Sequence, residues 1–164
     1  MWEDSVDRLW QLLAERFRDG VRQDPVPVYA STGHYHVEDD LILLAEEVRR
    51  CVGLGFKTVK IKAGGAGISD DLRRIDVALD ILDGTGVLAI DCNGMMTLPE
   101  AEGFIEALAD RKLAWIEEPV GPLDFEATRS LTSGTDIALA TGENLFSAAD
   151  TRNLMMYGGL RPDR

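Results

Sequence analysis

Three acidic residues, Asp91, Glu117 and Glu143, stand 26 residues apart, and each closes a short apolar run: VLAID, LAWIE and IALATGE. That interval is about the length of one strand–helix unit. Equal spacing therefore predicts three carboxylates at equivalent ends of neighbouring strands. Lys62 lies 29 residues before Asp91, one unit further back, and closes the run TVKIK. Strand side chains alternate, so Lys60 and Lys62 share a face. Lysine is rarely buried without something to compensate its charge. Three converging carboxylates repel and take up protons unless a cation joins them. With a hard divalent cation they become an all-oxygen ligand set, and the lack of His or Cys in it favours Mg²⁺ over zinc. A lysine beside such a cation, and partly buried, loses part of its preference for the ammonium form. It can then act as a general base near neutral pH. An edge strand would also explain two lysines on one face, but strands are expected on both sides of this one.

The positioning elements alternate in type. Apolar or β-branched runs at 26–31, 58–62, 87–91, 113–117 and 137–143 read as strands. Amphipathic stretches at 38–52, 70–82, 99–110, 125–131 and 148–157 read as helices. Thr97 with Glu100 predicts a capping box, Ser147 with Asp150 a weaker one. Leu41, Leu44, Ala45, Val48 and Val52 recur at helical spacing, with Gly53 or Gly55 as the stop. Strand–helix alternation implies a parallel α/β architecture, either an open doubly wound sheet or a (β/α) barrel. Active sites in both sit at the C-terminal strand ends, where the acids fall. Counting back by twos from the acids puts Ala89, Trp115 and Thr141 on their face. Leu88, Ile90, Ala114, Ile116, Ala138 and Ala140 then fall on the face that packs under helices. An opening helix near 3–18 shows one apolar face made by Val6, Leu9, Leu12, Leu13 and Phe17.

The 164 residues suffice for one domain with a real core, and no stretch has the length of a membrane helix. The opening residues lack the pattern of a secretion signal, which reads as cytoplasmic. A net charge of −12 argues against nucleic acid and leaves room for a small anionic substrate held by a few cations. Cys51 and Cys92 make no disulfide framework and read as buried free thiols. The HxH pair His34 and His36 lacks the further histidines that a metal-dependent hydrolase needs; it reads as a solvated or substrate-facing loop. STGHYH has one glycine and no GK[ST], which makes it a poor phosphate loop.

VKIK, IDCNG, WIEEP and TGEN, in this order and spacing, resemble the enolase superfamily in its mandelate racemase branch. The tail GENLFSAADTRNLMMYGGLRPDR is similar to the corresponding stretch of D-tartrate dehydratases and near relatives. The resemblance implies an incomplete (β/α)₈ TIM barrel carrying strands 1–5, with residues 26–164 as barrel and residues 1–25 as a helical linker from a missing capping domain. It implies that Lys62 removes the proton α to a substrate carboxylate, and that Lys60 holds or polarises that carboxylate. Asn93 would touch the substrate or a metal-bound water, and Asp91, Glu117 and Glu143 would bind Mg²⁺. Glu118 would serve a supporting role. The implied reaction is dehydration of an acid sugar, D-tartrate or a similar hydroxy acid, through an enediolate. Racemisation of a hydroxy acid is the alternative, and a metal-binding remnant without turnover is a third reading. The family's acid, a histidine on a seventh strand, would lie past Arg164. Open strand edges would also invite self-association, so a homo-oligomer is one expected state.

Overall fold

The computed structural model describes residues 26–108 and 110–160, together with Arg8, Gln11, Leu12, Glu15 and Arg16 of the opening segment. Those five are helical; the rest of the expected opening helix lies outside the described residues. The chain alternates β1 (Ala30–Thr32), α1 (Asp40–Gly53), β2 (Thr58–Lys62), α2 (Ile68–Leu82) and β3 (Val87–Asp91). It continues with α3 (Leu98–Ala107), β4 (Leu113–Glu117), α4 (Phe125–Gly134), β5 (Leu139–Ala140) and α5 (Ala148–Tyr157). All neighbouring strands are parallel, in the order β1-β2-β3-β4-β5. A doubly wound sheet reverses its strand order at a switch point. This sheet advances in sequence order throughout, as a barrel wall does, and that decides between the two α/β architectures. None of the described helices is long and apolar enough to cross a membrane.

The core lies between the sheet and its helices. Val59, Ile61, Leu88, Ile90 and Ile116 meet Leu44, Val48, Ile75, Leu82 and Phe104, all essentially inaccessible to solvent. The helix signals hold at their ends. The Thr97–Glu100 capping box forms, with the Thr97 N–H donating to Glu100 Oε2 at 2.8 Å. Ser147 accepts from the Asp150 N–H at 3.1 Å. α1 ends at Gly53, and Gly55, at φ +94°, takes the left-handed turn that follows.

Three expectations need correction. β1 is three residues long and starts at Ala30, not at residue 26. Pro27 has no N–H to give a ladder, so the chain before β1 stays extended and unpaired. β5 is only two residues long and ends at Ala140, and Ile137 and Leu139, not Ala138 and Ala140, pack on the core. β4 also carries a bulge: Leu88 pairs with Leu113 but Ile90 pairs with Ile116. Two residues, Ala114 and Trp115, thus stand opposite Ala89, which shifts the alternation. Leu113 rather than Ala114 joins the core from that strand.

The loops above β1 and β2 are tied by one polar cluster that sequence patterning did not anticipate. The Arg74 guanidinium, 2% exposed, donates to Asp40 and, at 2.6 Å, to the Gly33 carbonyl. It also lies 4.2 Å over the Tyr35 ring. The Tyr35 hydroxyl donates to Asp71 at 2.5 Å and accepts from the Gly65 N–H at 2.9 Å. Gly33 sits at φ +68°, and a Cβ there would come 2.7 Å from the Ile61 Cβ, so the turn admits only glycine. Burial disfavours the Asp40 carboxylate, but the hydrogen bond and charge of Arg74 outweigh it, and Asp40 is held below the usual carboxylate range. A carboxyl depressed on folding stabilises the fold above its unfolded pKa of about 4 and ceases to do so as pH falls through its folded value. Arg74→Met is expected to cost about 3 kcal/mol at pH 7, since it strands a partly buried carboxylate. The deficit should shrink below pH 4. Urea unfolding at both pH values reads the difference; equal stability at pH 7 would mean the cluster adds nothing.

Candidate active site at the strand ends

The ladder sets one row of partners across the top of the sheet: Lys62 beside Asp91, Asp91 beside Glu117, Glu117 beside Ala140. The spacing argument therefore holds for Lys62, Asp91 and Glu117 and fails at β5. Glu143 is three residues past its expected row. Gly142, at φ +144°, turns the chain after β5, and Glu143 lies exposed in that turn. Equal spacing in sequence is equal height only where the connecting loops have equal length.

The lysines pair with the acids. Lys60 is 5% exposed, and its Nζ donates to Glu117 Oε2 at 2.8 Å and lies 3.2 Å from Asp91 Oδ2. Lys62 Nζ donates to Asp91 Oδ2 and to Asn93 Oδ1, each at 2.7 Å. Asp91 is 1% exposed and also accepts from the Asn93 N–H at 3.1 Å. The Trp115 indole donates to Glu117 Oε2 at 3.2 Å, and Lys60 Nζ sits 5.3 Å from the centre of the Tyr29 ring. Asn93 links the parts. It holds a left-handed backbone at φ 45°, and its Nδ2 reaches Glu143 Oε1 at 3.4 Å.

The ionisation of Lys60 follows from these contacts. Burial pulls its pKa down, but the Glu117 hydrogen bond and the Asp91 charge outweigh burial and hold it above the usual lysine value. Burial likewise pushes Asp91 up, and the Lys62 hydrogen bond, the Asn93 N–H and Lys60 bring it below the usual carboxylate range. These contacts favour the ammonium form of Lys60.

Among the described residues, no group of three or more His, Cys, Asp or Glu stands close enough together to hold a metal ion. Asp91 and Glu117 are joined through Lys60, while among the described residues Glu143 is linked through Asn93. The expected three-acid cage is therefore not assembled among these contacts. The donor chemistry still fits a hard divalent cation: every candidate atom is an oxygen, and positive charge is already what holds Asp91 and Glu117 side by side.

The two histidines stay apart from this chemistry. His34 is exposed, and His36 Nε2 lies 3.0 Å from Glu47 Oε1. Glu47 also accepts from the Thr32 hydroxyl at 2.7 Å and the Gly33 N–H at 2.8 Å, so His36 helps to fasten the first loop. Cys92 is buried and its thiol is pushed up by that burial; Cys51 is only half-buried, against expectation. Tyr29 and Trp115, which meet edge to face at 5.3 Å, were missed as site residues. Their position on the lysine face was the available signal for Trp115; Tyr29 lies before β1 and gave none.

The chain has relatives. A family model described as enolase C-terminal domain-like matches residues 43–161. L-galactonate dehydratase of Hypocrea jecorina is 30% identical over 154 residues, which is 90% of this chain and 33% of that protein. A solved racemase from Streptomyces coelicolor A3(2) with bound magnesium is 31% identical at a TM-score of 0.76, with 84% of this chain and 41% of that one covered. L-talarate dehydratase from Polaromonas sp. JS666, complexed with Mg and L-glucarate, is 26% identical at a TM-score of 0.80. That match covers 93% of this chain and 44% of the dehydratase. The chain thus spans a third to under a half of the length of these relatives.

Proposed function

The chain belongs to the enolase C-terminal domain-like family, and from that premise we propose that it is the base-bearing and metal-bearing part of an acid-sugar dehydratase. One observation carries the reading: Lys62, Asp91 and Glu117 stand in one row at three adjacent strand ends, on the face opposite the core. The substrate class is a small anionic hydroxy acid, of which D-tartrate is the specific candidate. Residues 1–25 are read as a linker from a capping domain, and the location as cytoplasmic.

Lys62 is the base. Its side chain is the more exposed of the two, 21% accessible against 7% for Lys60. As a neutral amine it takes the proton from the carbon α to the substrate carboxylate, and the C–H pair moves into an enediolate. Lys60, fixed as an ammonium, holds the carboxylate where that charge develops. Asn93 orients Lys62 through its carbonyl. The enediolate pair would then form the Cα–Cβ double bond as the β C–O bond breaks, and the hydroxyl would leave as water with a proton from the later-strand histidine that the resemblance implies as the acid. Mg²⁺, which Asp91, Glu117 and Glu143 would hold, would supply positive charge that offsets the negative charge developing on the substrate.

The test is Mg²⁺ titration of the chain by calorimetry, then proton NMR of D-tartrate, L-talarate and L-galactonate in D₂O. Exchange at the α position followed by loss of water supports the dehydratase. Exchange with inversion and no loss of water favours racemisation of a hydroxy acid, a reading that the similarity to the racemase supports. Metal binding with no exchange on any substrate would leave a metal-binding remnant and overturn the reading for this chain.

A further inference from the structure

We infer that Glu118 is a positioning residue that clamps the three site loops together and sets the place of Glu143; this rests on the metal-site reading above. Glu118 is 2% exposed, yet among the described residues none of its hydrogen bonds comes from a cation. Both of its oxygens accept from Asn144 Nδ2, at 3.2 and 3.1 Å, and Oε1 also accepts from the Thr141 hydroxyl at 3.3 Å. Thr141 and Asn144 flank Glu143 in the turn after β5. The clamp therefore grips that turn on both sides of Glu143, while its grip is unrelated to the Asp91 and Lys62 pair.

The backbone of Glu118 does the same work on the other loops. Its N–H donates to the Ala140 carbonyl at 2.9 Å, and its carbonyl accepts from the Gly94 N–H at 2.7 Å. Gly94 belongs to the turn that carries Asn93. The residue itself holds φ 42°, a left-handed conformation unfavourable for a side chain that is not glycine. Such strain persists only where surrounding contacts impose it. Here the contacts are those of the turns bearing Asn93 and Glu143, on either side of Glu117. Because Glu143 is out of the strand row, the ladder cannot place it. The buried carboxylate beneath it can.

The experiment uses the whole chain, with Mn²⁺ as probe and electron paramagnetic resonance as the readout of binding. Glu118→Gln puts an amide against the Asn144 amide and is expected to weaken Mn²⁺ binding about tenfold, as loss of a group that orients a ligand does. Asn144→Ala, which removes the donor and leaves the buried acid in place, should show a loss in the same direction. Glu118→Gln added to Glu143→Gln should then cause no further loss, because one acts through the other. A role in general stability would instead multiply the two losses and overturn the inference, as would unchanged binding in Glu118→Gln. Amide exchange at 141–144 without metal is the second readout. It should quicken in Glu118→Gln, and unchanged exchange there overturns the clamp. A wild-type chain that binds no Mn²⁺ overturns the metal reading instead, and the exchange result then decides the clamp by itself.

Discussion

Lys62→Met should lower α-proton exchange on a bound hydroxy acid by about 10³-fold, the usual worth of a positioned general base, while the chain stays folded. The fold should survive because Asp91 keeps two of its partners, the Lys60 ammonium at 3.2 Å and the Asn93 N–H at 3.1 Å. Methionine also occupies much of the volume of the lysine stem on a face that is partly open. Lys60 cannot replace the missing base. It is committed to Glu117 at 2.8 Å, and its side chain is 7% accessible against 21% for Lys62, so it is the less available of the two to a substrate carbon. Lys60→Met gives the contrast. It should weaken substrate binding and lower stability, since it leaves Glu117 with only the Trp115 indole among the contacts described above. Exchange that persists in Lys62→Met and vanishes in Lys60→Met, with both variants folded, would reverse the two assignments.

What the sequence discloses depends on how local its cause is. β2, β3 and β4 were expected at 58–62, 87–91 and 113–117, and they occupy those residues, because β-branched runs bounded by turns are local signals. The capping box at Thr97 is equally local. The bulge opposite Ala89 is not; it is settled by how two strands register against helices that both must cover. Glu143 shows the same limit at the site. Its spacing matches that of its two predecessors, but the ladder joins Glu117 to Ala140, and the remaining residues become a turn. The pairing of Lys60 with Glu117, two strands away, and of Arg74 with Asp40 across two loops, has no trace in residue spacing at all.

The largest effect on stability is expected at Asp91. Asp91→Ala should cost about 4 kcal/mol, within the range for breaking a buried ion pair, and should abolish metal binding. The reason is the number of groups that rely on one carboxylate. Two ammonium groups reach the same oxygen, at 2.7 and 3.2 Å, and the other oxygen caps the strained Asn93 turn. Alanine removes the shared partner and leaves Lys60, 5% exposed, against Glu117 alone. Asp91→Asn separates charge from shape. Its amide can still accept from the Asn93 N–H, so the turn survives, but it brings no charge to the lysines. The loss should then fall between wild type and alanine when measured by urea unfolding. If Asp91→Ala unfolds at the same urea concentration as the wild type, the two lysines must be satisfied without it. The row of strand-end charges would then be a surface feature rather than the organising element of the site.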